Sequence, residues 1–139
     1  ALYAQNVAFD EDRFATSTLV QHIRESTKAQ LEVNWRIISR TAGETPAFYP
    51  RVRWPHVAGL YEALGSARLA EIAEIFATAP YDFRAGWPDL TLWREQNVCF
   101  VEVKSPTDQM HASQARLISG LLKPLGFSVT LAEVVKRTA

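Results

Sequence analysis

The stretch "GWPDLTLWREQNVCFVEVKSP", Gly86 to Pro106, reads as two β-rich runs that carry three charged side chains, Asp89, Glu102 and Lys104, among Leu, Val, Trp and Phe. Leu90 to Trp93 and Val98 to Val103 are expected strands, joined by the four-residue loop "REQN", a common hairpin length. If Trp93 pairs with Val98, Asp89 stands opposite Glu102. Alternation then puts Asp89, Thr91, Trp93, Val98, Phe100, Glu102 and Lys104 on one face, and Leu90, Leu92, Cys99, Val101 and Val103 on the other. The second set is wholly apolar, so that face is expected to pack on the core. The first set gathers two carboxylates and an ammonium at one end of the ribbon, with roughly 4.5–5.5 Å between opposed Cβ atoms.

Opposed carboxylates repel, and a divalent cation offsets that repulsion directly. Hard Mg²⁺ or Mn²⁺ takes carboxylate and carbonyl oxygens and keeps waters for a substrate. The peptide carbonyl of Val103, between Glu102 and Lys104, is a third candidate ligand if the strand frays at Ser105-Pro106. Lys104 points into the same site, where it can hold or help deprotonate an attacking water and offset charge growing on a phosphoryl group. The competing reading of each residue alone is structural: an Asp that starts a strand after Pro88, and a Glu and a Lys on a solvated hairpin face.

Working outward, Ser17 to about Arg40 places apolar residues mostly at helical intervals, which predicts one helix or two broken near Ser26. Gly43, Pro46, Pro50 and Pro55 exclude a long regular element between Thr41 and Pro55. Helical spacing returns in "HVAGLYEALG" and in "SARLAEIAEIFATA", where Ser66 can cap the second helix and Leu69, Ile72, Ile75 and Phe76 form one core stripe. After the hairpin, "TDQMHASQARLISGLLKPLG" offers Thr107 or Asp108 as cap, a stripe through Met110, Leu117, Leu121 and Leu122, and a stop at Pro124 and Gly126. "FSVTLAEVV" alternates and predicts a final strand. This order of elements is an α/β layer arrangement.

With 139 residues, 47% hydrophobic and 22% charged, the chain has room for one core and the composition of an ordinary globular domain. No window nears the ~18 apolar residues of a membrane span, and the first residues lack a signal-peptide pattern, so an intracellular protein with no membrane role is expected. The single Cys99 has no disulfide partner and reads as a small core residue. A formal net charge of zero leaves no global field for a polyanion, so a nucleic-acid role needs a local basic strip or another domain. The start at Ala1, with Met110 the only methionine, fits a fragment of a longer chain; removal of an initiator Met gives the same start. The acidic cluster Asp10, Glu11 and Asp12 reads as a surface turn. His22, His56 and His111 show no metal spacing; His111, near the site in sequence, is a candidate phosphate contact. Arg51, Arg53, Arg84, Arg94 and Lys123 read as solvated surface, with DNA backbone contact as the alternative.

The text "GWPDLTLW…FVEVKSPTDQMHASQ…L…LGFSVTLAEVV" resembles the virus-type replication-repair nuclease (VRR-NUC) domains of the PD-(D/E)xK superfamily, in particular the C-terminal nuclease domains of the Fanconi-associated type. Its marks are the Gly two residues before Pro-Asp, the "LW" after it, Glu-x-Lys with Pro and Asp behind, and a Gln in the next helix. The resemblance implies a restriction-endonuclease-like core, a small mixed sheet flanked by helices, over residues 61–139, preceded by a helical segment over 1–60. It implies Asp89 and Glu102 as metal ligands, Lys104 as the catalytic lysine, Gln114 as the helix residue that approaches the site, and one or two Mg²⁺ or Mn²⁺ ions. It also implies a structure-specific deoxyribonuclease that cuts near 5′ flaps and digests from 5′ ends in crosslink repair, with other domains of a longer chain as partners. Members of the family bear further metal-binding Glu residues on upstream helices; Glu25 and Glu32 are the candidates here, though no position matches that pattern. A nuclease fold kept as a binding module without turnover is the alternative.

Overall fold

The protein is described from a computed structural model, over residues 13–41 and 52–136. The acidic cluster, the segment from Gly43 to Pro50 and Arg51 lie outside the described residues. Helices α1 (Arg13–Glu25) and α2 (Lys28–Thr41) follow one another, parted at Ser26 and Thr27, where the Ser26 hydroxyl bonds back to the Ile23 carbonyl at 2.7 Å. α3 (Trp54–Thr78) starts with Pro55 in its first turn, where a missing N–H costs nothing. It breaks at Gly65, whose φ of 73° and ψ of 164° belong to a region only glycine enters readily. The two expected helices are therefore two halves of one bent rod, and residues 60 and 61 lie within its first half.

A short helix α4 (Pro80–Phe83) leads to the hairpin, β1 (Leu90–Arg94) and β2 (Asn97–Lys104). The strands are antiparallel with Trp93 opposite Val98 and Leu90 opposite Val101, the register expected. The loop is shorter than expected. Arg94 pairs with Asn97, leaving Glu95 and Gln96 as a two-residue turn, with Glu95 at φ 55° in its first central position. Helix α5 (Ala112–Leu117) runs into a π turn (Ile118–Leu122), and the turn at Lys123–Gly126, with Gly126 at φ 75°, starts β3 (Ser128–Glu133). β3 lies parallel to β2, giving a three-stranded mixed sheet in the order β1-β2-β3.

The core corrects one expectation. Phe83, Phe100, Leu117, Leu121, Leu122 and Phe127 form the buried cluster, joined by Ile72, Ile75 and Phe76 of α3 and by Val98 and Val129 of the sheet. Val98 and Phe100 belong to the face that bears the charged residues. The wholly apolar face is the outer one: Leu90 and Leu92 are about half exposed there, and Cys99 is half-buried. The reason is that Trp93, Val98 and Phe100 form an apolar column of their own, so both faces can take a core, and the crossover from β2 to β3 lays α5 on the Phe100 side. Glu102 and Lys104 thus stand at the end of the core face, and Asp89 lies one residue before β1.

Two smaller expectations also change. Helix α5 begins at Ala112, because Asp108 commits its carboxylate to the Ser105 amide (2.9 Å) while its own amide bonds the Ser105 carbonyl (3.0 Å), closing a turn over 105–108. Met110 consequently sits outside the helix and is 45% exposed.

Candidate active site

Asp89 ends the loop between α4 and β1. Its Oδ2 accepts a hydrogen bond from the Val103 amide at 2.9 Å, so the carboxylate reaches across the ribbon and caps it where β1 has not yet begun. Asp89 is exposed. The Val103 backbone is thereby held beside the acid through its N–H.

Glu102, one residue earlier on β2, is 2% exposed. A carboxylate taken from water needs charge and hydrogen-bond compensation. Lys104 supplies the charge, with Nζ 2.8 Å from Glu102 Oε1 and only 11% of its side chain exposed. Gln114 supplies an amide: its Nε2 donates to the same Oε1. Gln114 Oε1 in turn accepts from Lys104 Nζ at 3.0 Å and from the His111 amide at 2.9 Å. Two donors meet the amide oxygen and one acceptor meets the amide nitrogen, so the neighbours determine which way Gln114 faces. Glu102, Lys104 and Gln114 close a triangle in which each touches the other two.

Glu102 Oε2 stands apart from this. It is buried and has no hydrogen-bond partner among the described residues. Buried carboxylate oxygens left without donors are rare and costly, and a cation is one partner that such an oxygen accepts. The donor set suits a hard cation: hard oxygens from Asp89 and Glu102, and an ammonium on the flank. Among the described residues no group of three or more His, Cys, Asp or Glu stands where it could hold a metal ion, so the described acids and histidines supply at most two ligands to any one such site. Glu25 accepts from Gln21 within α1, and Glu32 pairs with Arg36 at 2.6 Å within α2. No described contact joins either to Asp89 or Glu102.

Sequence reasoning missed what aligns the loop with the helix. Gly86 has φ 89°, and a Cβ there would lie 2.4 Å from the carbonyl carbon and oxygen of Ser113 and 2.6 Å from the amide nitrogen of Gln114. The loop that delivers Asp89 rests directly on the backbone that delivers Gln114. A lone glycine just before a strand is the sequence signal for such an approach. Arg116 adds an ion pair to Asp82 at 2.7 Å between α5 and α4.

No helix of the described residues is long and apolar enough to cross a membrane. No curated protein matches the chain. The family pattern of the VRR-NUC domain matches residues 26–136, from the end of α1 through β3 and including every residue of the triangle. The match covers most of the chain, which therefore belongs to the VRR-NUC family of nuclease-type domains.

Proposed function

We propose that this chain is a metal-dependent deoxyribonuclease that hydrolyses phosphodiester bonds at the open end of the β1–β2 ribbon, with Mg²⁺ or Mn²⁺ as cofactor. The observation that carries the reading is Glu102 Oε2, buried without a partner in a carboxylate whose other oxygen is committed to Lys104 and Gln114. Asp89 and Glu102 would hold the cation, with the Val103 carbonyl as a third ligand. Bound there, the cation supplies Lewis acidity to the phosphoryl group and its waters. Lys104 meets the charge that grows on the phosphoryl oxygens as water attacks in line. Gln114 holds both Lys104 and Glu102, so it positions the other two rather than reacting. Little covalent chemistry is asked of the protein; positioning and charge carry the rate enhancement.

The finer substrate follows from the family resemblance: DNA with a flap or a single-strand junction, cut near the 5′ flap or digested from the 5′ end during crosslink repair. A net charge of zero supports a further domain that holds the duplex. The test is cleavage of a labelled 5′-flap duplex with Mg²⁺ or Mn²⁺, set against chelator, Asp89→Ala and Lys104→Ala. Loss of at least ~10²-fold in each variant is expected; equal cutting by all three proteins would place the chemistry elsewhere. One observation favours a second reading, a nuclease fold that binds DNA or protein without turnover: among the described residues no group of three or more His, Cys, Asp or Glu stands where it could hold a metal ion. A wild type that binds the flap and never cuts it would decide for that reading.

A further inference from the structure

Trp87 lies two residues before Asp89, so its Cα is within about 7 Å of that of the acid. Its indole is fixed on two sides. Nε1 donates to the Phe83 carbonyl at 2.9 Å, and the ring packs against Phe100 with centroids 6.4 Å apart and planes tilted by 55°. Phe83 and Phe100 are 7% and 4% exposed, yet Trp87 is 39% exposed. A large aromatic surface is thus held in place and partly exposed two residues before Asp89.

The chain leading to it continues the pattern. Tyr81 is 37% exposed, and the Arg84 guanidinium sits 4.0 Å above its ring. Arg116 nearby is neutralised by Asp82, whereas Arg84 has no ion-pair partner among the described residues. Between Tyr81 and Trp87 the segment that leads to Asp89 thus carries two part-exposed rings and one cation without an ion-pair partner among the described residues.

We infer that this strip is a ledge for single-stranded DNA, on which an unpaired base stacks against Trp87 while Arg84 meets the neighbouring phosphate. Bases in a duplex hide their faces from side chains, so an exposed ring this close to the site selects an unpaired strand. Stacking is tolerant of sequence and needs no net positive charge, which suits a chain whose formal charge is zero. The inference deepens the nuclease reading and rests on it for the identity of the substrate.

The test is equilibrium binding of a labelled oligo(dT) strand and of a blunt duplex to the 139-residue chain at low ionic strength, with chelator present so that turnover cannot intervene. Trp87→Ala should weaken single-strand binding by about tenfold or more. Trp87→Phe, which keeps a ring, should weaken it less, and duplex binding should be unchanged in both. Arg84→Ala should lower the slope of log affinity against log salt by roughly 0.7. Circular dichroism and thermal melting establish that each variant is folded, and Trp87→Phe carries the test if Trp87→Ala is not. Single-strand binding that is undetectable in wild type, equal in the Trp87 variants, or lost together with duplex binding overturns the ledge. Because no metal is present, these outcomes are separate from the cleavage test: an inactive protein that still loses single-strand binding through Trp87 refutes the nuclease and keeps the ledge.

Discussion

Gly86 lies in backbone contact with Ser113, close enough that any β-carbon on it would stand 2.4 Å from the Ser113 carbonyl. Gly65 provides the control, because it also has a positive φ (73°), but no atom lies within 4 Å of the point a β-carbon would occupy there. Alanine at Gly65 should therefore cost only the conformational term, about 1–3 kcal/mol. Alanine at Gly86 carries that term and must also push the Asp89 loop off α5. Urea unfolding should show Gly86→Ala to be the more damaging, and equal losses at the two sites would mean that the contact at Ser113 does not constrain the loop. In the cleavage assay Gly86→Ala should lose about 10²-fold, as expected for reacting groups displaced by around an ångström.

Lys104 and Glu102 form an ion pair almost wholly out of water, at 2.8 Å. Removing one partner of such a pair leaves a buried charge, at a cost of about 3–5 kcal/mol. Lys104→Met should show that loss in unfolding experiments made with chelator present. Adding Glu102→Gln to it removes the orphaned charge, keeps an amide beside Gln114, and should recover most of the loss. Additivity of the two single changes to within about 0.5 kcal/mol would show that the pair is not coupled.

The partnerless Oε2 of Glu102 makes a claim about the folded protein that does not depend on turnover. A cation that binds only the native state stabilises it by mass action, about 2.7 kcal/mol when present at a hundred times its dissociation constant. Mn²⁺ or Ca²⁺ should raise the melting temperature of wild type, and Asp89→Ala and Glu102→Gln should each abolish the rise. A rise that survives both substitutions would locate the cation at another site.

The register of the hairpin is legible in the sequence because one pairing, Trp93 with Val98, determines every other, and the true turn merely lengthens both strands by a residue. The helix breaks at Ser26 and Gly65 are legible because local chemistry causes them: a serine bonded back to its own helix and a glycine in a conformation other residues avoid. The choice of sheet face is not. Val98 and Phe100 on one side and Leu90 and Leu92 on the other are equally apolar, and only the landing of α5, a tertiary event, selects between them. For the same reason the burial of Glu102 cannot be read from its neighbours in sequence, whereas its company with Lys104 can. The start of α5 escapes the sequence because Thr107 and Asp108 have the right chemistry for a cap, and Asp108 uses it on a turn instead.

That turn gives a prediction about pH. The Asp108 carboxyl is held below the ordinary aspartate range, first by the Ser105 amide that donates to it, then by the Ser105 side chain and the charges of Lys104 and His111, against an opposing effect of desolvation. A carboxyl lowered in the folded state contributes stability above its unfolded value and loses it as pH falls through the folded one. The 105–108 turn, which leads directly out of Lys104, should therefore stay closed at neutral and mildly acidic pH and open only in the acid range below the ordinary aspartate value. A carbon-13 carboxyl titration should place the Asp108 midpoint below that of an unstructured aspartate, and amide exchange at Ser105 should quicken across the same interval. Asp108→Asn keeps the shape of the acceptor but removes the charge, so exchange at Ser105 should lose its dependence on pH over that interval beyond the chemical rate. A midpoint at or above the ordinary value would mean that the Ser105 bond does not hold the turn in solution.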